Sequence, residues 1–176
     1  MEKISCILIT REDNFPEIIL DRLDQDFFDE ILIYTKCPSV YHRYLCAAKA
    51  KNDIIFVCDD DCFVNYQVLF SKYDGRLTNT MTKEFQKKYE DMGCTLVGWG
   101  CYFHKGMLKV FDKYIDKYGV DQNLLREADR IFTHLNQPWN TVIMPHEDLF
   151  QMSDRMGYQP NHEESAREAI EKCKAL

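Results

Sequence analysis

Three consecutive carboxylates, Asp59, Asp60 and Asp61, directly follow an apolar run at residues 54–58. Adjacent acids repel one another and lose hydration when packed together, so a bound cation would relieve the cost of placing them side by side. In an extended chain alternate residues share a face, so Asp59 and Asp61 should point the same way. Carboxylate oxygens suit Mg²⁺ or Mn²⁺. The pattern predicts a divalent-cation site, and the alternative interpretation is a solvated acidic turn.

A second polar group, His146, Glu147 and Asp148, stands where a helix is predicted to begin. Acids in a first helical turn are favoured by the backbone dipole, so capping alone can explain them. The functional interpretation is a general base, because a carboxylate at the mouth of a cleft can take a proton from an attacking hydroxyl. His162 opens the last predicted helix, either as a cap or surface residue or as a further metal ligand.

Three other side chains could contact a ligand. Trp99 lies between Gly98 and Gly100 and could offer its face to a sugar ring, although a place in the core is the alternative. Arg11 and Arg43 are the cations nearest the expected ligand edge. Arginine suits planar oxyanions, so each can pair with a diphosphate or with an acid, and for Arg11 simple surface solvation is the alternative.

The elements that must position these residues alternate in the first third of the chain. The order β-α-β-α-β predicts a parallel sheet with right-handed crossovers. The loop at residues 11–14 and the three acids then leave the same carboxyl edge, where ligands bind in open α/β sheets. Strands are predicted at 4–10, 30–35 and 54–58, with helices starting near Asn14 and Pro38.

After residue 63 the pattern is looser. The glycines within the strand-like run 94–103 indicate a bulge or a close approach by another group. The polar segment 78–93 predicts an exposed helix or loop. We further expect a short helix at 64–70, helices at 107–118 and 124–135, a last strand at 139–144, a helix opening at 145–148 and a C-terminal helix at 162–174.

Composition limits the classes of function. The 176 residues, 45% hydrophobic, fit a single globular domain. A net charge of -7 without a Lys/Arg block makes nucleic acid and anionic membranes poor partners. The 8 cysteines show no CxxC spacing, so we expect buried, reduced thiols in a cytoplasmic protein. We expect no signal peptide before Ile4 and no membrane helix, because no apolar stretch approaches the roughly 20 residues that a span needs.

The ordered set of motifs resembles the nucleotide-sugar glycosyltransferases of the GT-A fold. The resemblance rests on Arg43-Tyr44 leading a helix, the strand 52–57 running into the acidic triplet, the Gly98-Trp99-Gly100 run, the later Glu147-Asp148 and the closing His162. It is closest to small members with an Asp-Asp-Asp motif, including exostosin-like and large-virus enzymes. It implies a single GT-A-like (Rossmann-like) α/β domain over residues 1–176. Residues 1–103 would bind the nucleotide sugar and residues 104–176 would form the acceptor side.

The resemblance also implies ligands and roles. A nucleotide-diphosphate sugar, most commonly a UDP-sugar, would be the donor, a glycan or other hydroxyl the acceptor, and Mn²⁺ or Mg²⁺ the cofactor. Asp61, Asp59 and His162 would hold the metal, with Asp59 acting directly, through water or on the ribose. Asp148, with its neighbour Glu147, matches the base of inverting members. Nucleotide contacts would come from Thr10, Arg11, Glu12, Arg43, Asp59 and Asp60, and acceptor contacts from Trp99 and Gly100.

Two other classes of function remain open from the sequence. Phosphatases and phosphotransferases of the haloacid-dehalogenase type also place Asp-x-Asp after an apolar strand and use Mg²⁺. Their motif normally ends the first strand, whereas here it ends the third predicted strand and Cys62-Phe63 follows. The third possibility is a degenerate transferase that binds a nucleotide or metal without catalysis.

Overall fold

A six-stranded sheet with helices on both faces organises the computed structural model, which describes residues 2–145, 148–151 and 162–176. The strands of this sheet are β1 (Ile4–Ile9), β2 (Glu30–Tyr34), β3 (Ile54–Cys58), β5 (Thr78–Met81), β6 (Cys101–His104) and β7 (Asn140–Ile143). A second sheet pairs β4 (Cys62–Val64) with β8 (Leu149–Gln151). The helices are α1 (Glu17–Leu20), α2 (His42–Ala47), α3 (Tyr66–Phe70), α4 (Lys83–Asp91), α5 (Val110–Tyr118), α6 (Gln122–Leu135) and α7 (His162–Lys174), with a 3-10 helix at Lys105–Lys109.

The strand order of the large sheet is β2-β1-β3-β6-β5-β7. β1 runs parallel to both β2 and β3, and β5 runs parallel to β7. β6 is antiparallel to both of its neighbours, β3 and β5. The predicted α/β class with a mostly parallel central sheet is therefore confirmed, as is the β-α-β-α-β order that leads into the acidic triplet.

Apolar side chains alternate between the two faces of the central strands, because successive residues of a strand point to opposite sides. On β1, Ile7 faces a core formed with α2, α5 and α6, whereas Cys6 and Leu8 face a second core formed with α1 and α3. Ile55 and Phe56 divide in the same way on β3. Both faces of β3 are therefore buried, which explains its continuous apolar sequence.

The core on the α6 side contains an aromatic cluster around Phe132, and its removal should be costly. The Phe132 ring is fully buried and its centroid lies 4.6 Å from that of Tyr44 and 4.9 Å from that of Phe103. We expect Phe132→Ala to lower the free energy of unfolding by about 3–5 kcal/mol in urea titrations. Phe85→Ala, at a ring that is 36% exposed, is the control and should cost less than about 1 kcal/mol. Equal losses in the two variants would contradict this account of the core.

β5 corrects the prediction that segment 78–93 begins as an exposed helix or loop. All four residues of β5 are buried, although three of them are polar. Their polar groups bond inside the sheet region: Thr141 donates to Asn79 Oδ1 at 3.0 Å, and Thr80 donates to the Val142 carbonyl at 2.9 Å. Because Thr80 and Asn79 Oδ1 make these bonds with the neighbouring strand β7, a polar segment becomes an interior strand, although Asn79 Nδ2 is buried without a partner among the described residues. The exposed helix expected in this segment is α4, which begins at Lys83.

Two further expectations are corrected. Of the strand-like run 94–103, only residues 101–103 lie in the sheet, as part of β6, because the glycine-containing loop before them turns toward the acidic triplet. Of the helix predicted to open at 145–148, the described part is a 3-10 turn at Asp148, whose N–H donates to the Pro145 carbonyl at 3.1 Å, and Asp148 leads directly into β8; residues 146 and 147 lie outside the described part. β8 pairs with β4, a strand that the sequence pattern did not predict. The pair is antiparallel, and each strand is three residues long.

α7 packs on α6 and carries the C-terminal end of the fold. Ala166 and Ala169 are fully buried, Ser165 donates a hydrogen bond to Glu127, and Lys172 bonds Asp121 at 2.9 Å. Glu127 also forms a buried ion pair with Arg130 on α6. The helix predicted at 162–174 is thus confirmed with those bounds.

The cysteines contribute to packing. All eight are free and buried, as predicted from their positions within apolar runs. Burial raises the pKa of the Cys58 thiol to about 12, so this group stays protonated at neutral pH.

Candidate functional site at the carboxyl edge of the sheet

The first loop and the acidic triplet meet at one edge of the sheet. β1 and β3 are parallel neighbours, with Leu8 paired to Cys58. Thr10 follows one strand, and the acids follow the other. The Thr10 hydroxyl donates to the carboxylate of Asp60 and accepts a hydrogen bond from the Glu12 N–H at 3.1 Å. This hydroxyl therefore connects the first loop directly to the triplet.

Arg43 lies behind the triplet, between two carboxylates. Its side chain is only 3% exposed. Nη2 donates to Asp59 Oδ1, and Nη1 donates to Asp129 Oδ2 at 2.7 Å. Burial alone would lower the pKa of Arg43, but the nearby carboxylates of Asp129 and Asp59 raise it well above its usual value. Arg43 is thus a permanent cation that compensates charge on both sides.

Asp129 comes from α6 and is held on its other oxygen by Tyr44. The Tyr44 hydroxyl donates to Asp129 Oδ1 at 2.6 Å. Burial raises the pKa of Asp129, and the charge of Arg43 opposes that rise. The result is a continuous chain of contacts, Tyr44–Asp129–Arg43–Asp59, that runs from the core to the acidic triplet.

The Gly98 loop closes on the triplet from the other side. The Asp59 N–H donates to the Gly98 carbonyl at 2.6 Å, and the Cys62 thiol donates to the same oxygen at 2.8 Å. A Cβ added to Gly98 would lie 1.9 Å from Asp59 Oδ2. The close approach expected from a glycine at this position is therefore to the Asp59 carboxylate, and no larger residue fits there without displacing it.

The donor atoms at this edge fit a divalent cation. Oxygens of Asp59 and Asp61 and the sulfur of Cys62 all lie within 4.8 Å of one another. Burial and the neighbouring Asp59 raise the pKa of Cys62 well above its usual value, so the thiol stays protonated and bonded to Gly98. The two carboxylates then remain as hard oxygen donors, the type that Mg²⁺ and Mn²⁺ prefer. Because Arg43 already contacts Asp59, Asp61 is the better candidate for a direct ligand.

A cleft of about 400 Å³ opens in front of these groups. Apolar contacts come from Ile9 and Val40, and Ser39 and Cys37 complete the wall opposite the acids. The structure brings together in this one cleft the predicted nucleotide and metal residues Thr10, Arg11, Glu12, Arg43, Asp59, Asp60 and Asp61.

Asp148 lies in a different, smaller cleft of about 240 Å³, beside Arg22 and Phe63. Asn65 binds it twice, through its N–H to the Asp148 carbonyl at 2.9 Å and through Nδ2 to Oδ1 at 3.2 Å. Asp148 precedes Leu149, which pairs with Val64, so three strand residues separate its level from Asp61. Asp148 is therefore level with Asn65, four positions from Asp61, and at the rise of a β-strand this is roughly 13 Å. The structure does not bring Asp148 into contact with the triplet.

The remaining predicted residues occupy varied positions. Trp99 is half-buried, and its ring meets that of Phe85 edge-on at 5.2 Å. Gly100 is buried, its N–H donates to the Val97 carbonyl, and its carbonyl accepts from the Thr80 N–H. His162 begins α7, but its side chain lies outside the described part of the structure, as does all of Glu147.

Two members of the site were not found from the sequence. Tyr44 enters the sequence argument only as part of the Arg43-Tyr44 helix start, and nothing in that pattern indicates that its hydroxyl bonds an acid. Asp129 stands among charged residues of an amphipathic helix, where nothing distinguishes it from a solvated acid. Its role depends on a contact with Arg43 across 86 residues of chain, which no local pattern reports.

The comparisons with known proteins concern the fold. No family model matches the sequence, and no curated protein is similar to it. Among solved structures, the glycosyltransferase GlyE of Streptococcus pneumoniae TIGR4 is similar over 97% of this chain, with a TM-score of 0.56 and 11% identity. This chain spans 60% of the length of GlyE. A glycosyltransferase involved in the glycosylation of the major capsid of PBCV-1 is similar over 99% of this chain and all of its own, with a TM-score of 0.52 and 10% identity.

These similarities define the class of the fold: the chain is an α/β protein with the fold of these two glycosyltransferases. Within that fold, its acidic triplet lies in an open cleft at the carboxyl edge of β3.

Among the described residues, no helix combines the length and the apolar character that crossing a bilayer requires.

Proposed function

We propose that this protein is a metal-dependent glycosyltransferase that moves a sugar from a nucleoside-diphosphate donor, a UDP-sugar foremost, to an acceptor hydroxyl with inversion. The observation that carries the proposal is the position of the triplet. Two carboxylates suited to a divalent cation lie in one cleft with the first loop, within a fold similar to glycosyltransferases of known structure.

The residues of the cleft have distinct tasks in this proposal. Asp61, supported by Asp59, would hold Mn²⁺ or Mg²⁺, with His162 as a further candidate ligand. When bound, such a cation supplies a positive charge that offsets the charge developing on the departing diphosphate. Arg43 fixes the carboxylate of Asp59 from behind, since the two side chains are in contact. The acids are thereby held ready before any ligand enters, which lowers the ordering cost of binding.

The nucleoside would lie against the first loop. Thr10 ties that loop to Asp60, and Arg11 and Glu12 are exposed at the mouth of the cleft. Their exposure leaves Arg11 free to approach a phosphate and Glu12 to accept hydrogen bonds from a ribose or base. The acceptor would enter beside Trp99, whose half-buried ring borders the same glycine loop.

Inversion requires a base on the side of the donor sugar away from the diphosphate, and Asp148 is the candidate. Its separation of roughly 13 Å from Asp61 along β4 leaves room for a sugar between them. We expect Asp148→Asn to retain donor binding within about twofold and to lose transfer by about 100-fold or more, since general-base catalysis is worth about 10²–10⁴. Calorimetric titration and product analysis by mass spectrometry measure the two quantities. Unchanged transfer would remove Asp148 from the mechanism.

Calorimetric titration with UDP, GDP and dTDP, each with and without Mn²⁺, tests the proposal as a whole. Binding of one nucleotide that strengthens at least about tenfold with the metal supports it. Failure of all three nucleotides to bind would overturn it. Release of phosphate from simple phosphoesters with Mg²⁺ would favour the haloacid-dehalogenase alternative, and nucleotide binding without any transfer would favour a non-catalytic module.

A further inference from the structure

Asp129 is a half-buried acid that the proposed chemistry does not use directly. It does not line the cleft, yet it contacts Arg43 at 2.7 Å, and Arg43 in turn contacts Asp59. Both of its oxygens are occupied, one by Arg43 and one by the Tyr44 hydroxyl. Placing charged side chains together away from water costs desolvation energy, and replacing all members of such a group at once by apolar residues is often at least as stable. Stability alone is therefore a weak explanation for this acid.

The guanidinium of Arg43 contacts two acids through different nitrogens. Nη1 faces Asp129 and Nη2 faces Asp59, while Arg43 Nε is buried without a partner in the described structure. An arginine held only by Asp59 would be free to turn further into the cleft, where its charge would compete with a divalent cation for the carboxylates. Because Asp129 binds Nη1, Arg43 stays behind Asp59, and part of the guanidinium charge is compensated on the side that faces away from the cleft.

We infer that Asp129, supported by Tyr44, is a positioning residue that holds Arg43 back from the cation site and so sets the metal affinity of the acidic triplet. The inference rests on the proposed function, because it concerns the same cleft. Asp129 touches neither the cation site nor the donor in this scheme, and it acts only through Arg43.

The test measures the Mn²⁺ concentration that gives half-maximal UDP binding, by calorimetric titration at a series of metal concentrations. We expect Asp129→Asn to raise this concentration about tenfold, within the 10–100-fold range typical of residues that support a metal ligand. Tyr44→Phe keeps the ring and every charge but removes the hydroxyl donor, so a smaller shift of about threefold in the same direction is expected. UDP binding without metal should stay within about twofold of wild type in both variants.

A double-mutant cycle identifies the route of the effect. In an Arg43→Gln background, adding Asp129→Asn should change the Mn²⁺ requirement by less than about twofold, because the intermediary is gone. Asp116→Asn, at an exposed site on α5, controls for the loss of one negative charge and should leave the requirement unchanged.

The outcomes separate this inference from the proposed function. If wild-type protein shows no Mn²⁺-dependent UDP binding, the proposed function and this inference both fall. If wild type binds but both Asp129→Asn and Tyr44→Phe have wild-type Mn²⁺ requirements, only the positioning role is overturned. An equal effect of Asp129→Asn with and without Arg43 would also overturn it. If Asp129→Asn does not fold, Tyr44→Phe alone decides the question.

Discussion

Replacing Asp61 by asparagine is expected to weaken Mn²⁺-dependent nucleotide binding by about 100-fold or more and to leave the fold intact. Residues that only support a metal ligand already contribute about 10–100-fold to affinity, so a direct ligand should contribute at least the upper value. Asp61 is partly exposed and lines the cleft. Loss of its charge should therefore disturb the site more than the packing around it.

Calorimetry with UDP and Mn²⁺ measures the affinity, and circular dichroism with thermal unfolding checks the fold. Asp116→Asn is the matched control, because it removes the same charge from an exposed helix position. If Asp61→Asn binds nucleotide with the wild-type metal requirement, Asp61 is not the ligand. If it instead unfolds, the acid serves the structure of the loop, and the metal assignment loses its main support.

A methyl group at position 98 is expected to have the second large effect. In Gly98→Ala the new Cβ would lie 1.9 Å from Asp59 Oδ2, far inside van der Waals contact. Either the loop or the Asp59 carboxylate must move, and the Asp59 N–H bond to the Gly98 carbonyl restrains the loop. We expect a loss of about tenfold or more in Mn²⁺-dependent UDP affinity. Overpacking should also lower the free energy of unfolding by about 1–3 kcal/mol.

Gly75→Ala separates the two consequences. Gly75 has a φ of +91°, so alanine is strained there, but no heavy atom lies within 4 Å of the added Cβ. This control should lose about 1 kcal/mol of stability and keep the nucleotide affinity of wild type. Gly98→Ala with unaltered affinity would show that the Asp59 carboxylate adapts and that its present orientation is not required.

The sequence was sufficient to predict the first third of the fold, because the apolar runs and the turn residues there indicate the same elements. Buried strands read as continuous apolar runs, and the acids stand directly after one of them, so the parallel order and the shared edge followed from chain direction alone. The first loop and the acids were therefore expected at the same edge, and Thr10, just before that loop, contacts Asp60. For the same reason the predicted nucleotide residues all line one cleft.

The structure of the later part of the chain was harder to predict from the sequence, because its elements depend on partners that are distant in the chain. β5 has a polar sequence whose Asn79 and Thr80 side chains bond to the neighbouring strand β7, and β4 and β8 are short strands that exist by pairing with each other. The contact of Asp129 with Arg43 likewise joins α6 to α2. The periodicity of a single segment does not report contacts between distant segments. The contacts of Tyr44 and Arg43 with Asp129 were therefore found only in the structure.

The eight concealed thiols equip the molecule with its own set of chemical reporters. A small alkylating reagent modifies a sheltered cysteine only when the surrounding region opens, so the rate at each site reflects a local opening free energy. Cys6 and Cys58 sample neighbouring central strands, Cys46 samples α2, and Cys173 samples the C-terminal helix. Time-resolved alkylation read by peptide mass spectrometry can therefore rank the parts of this protein by resistance to opening, with no engineered label.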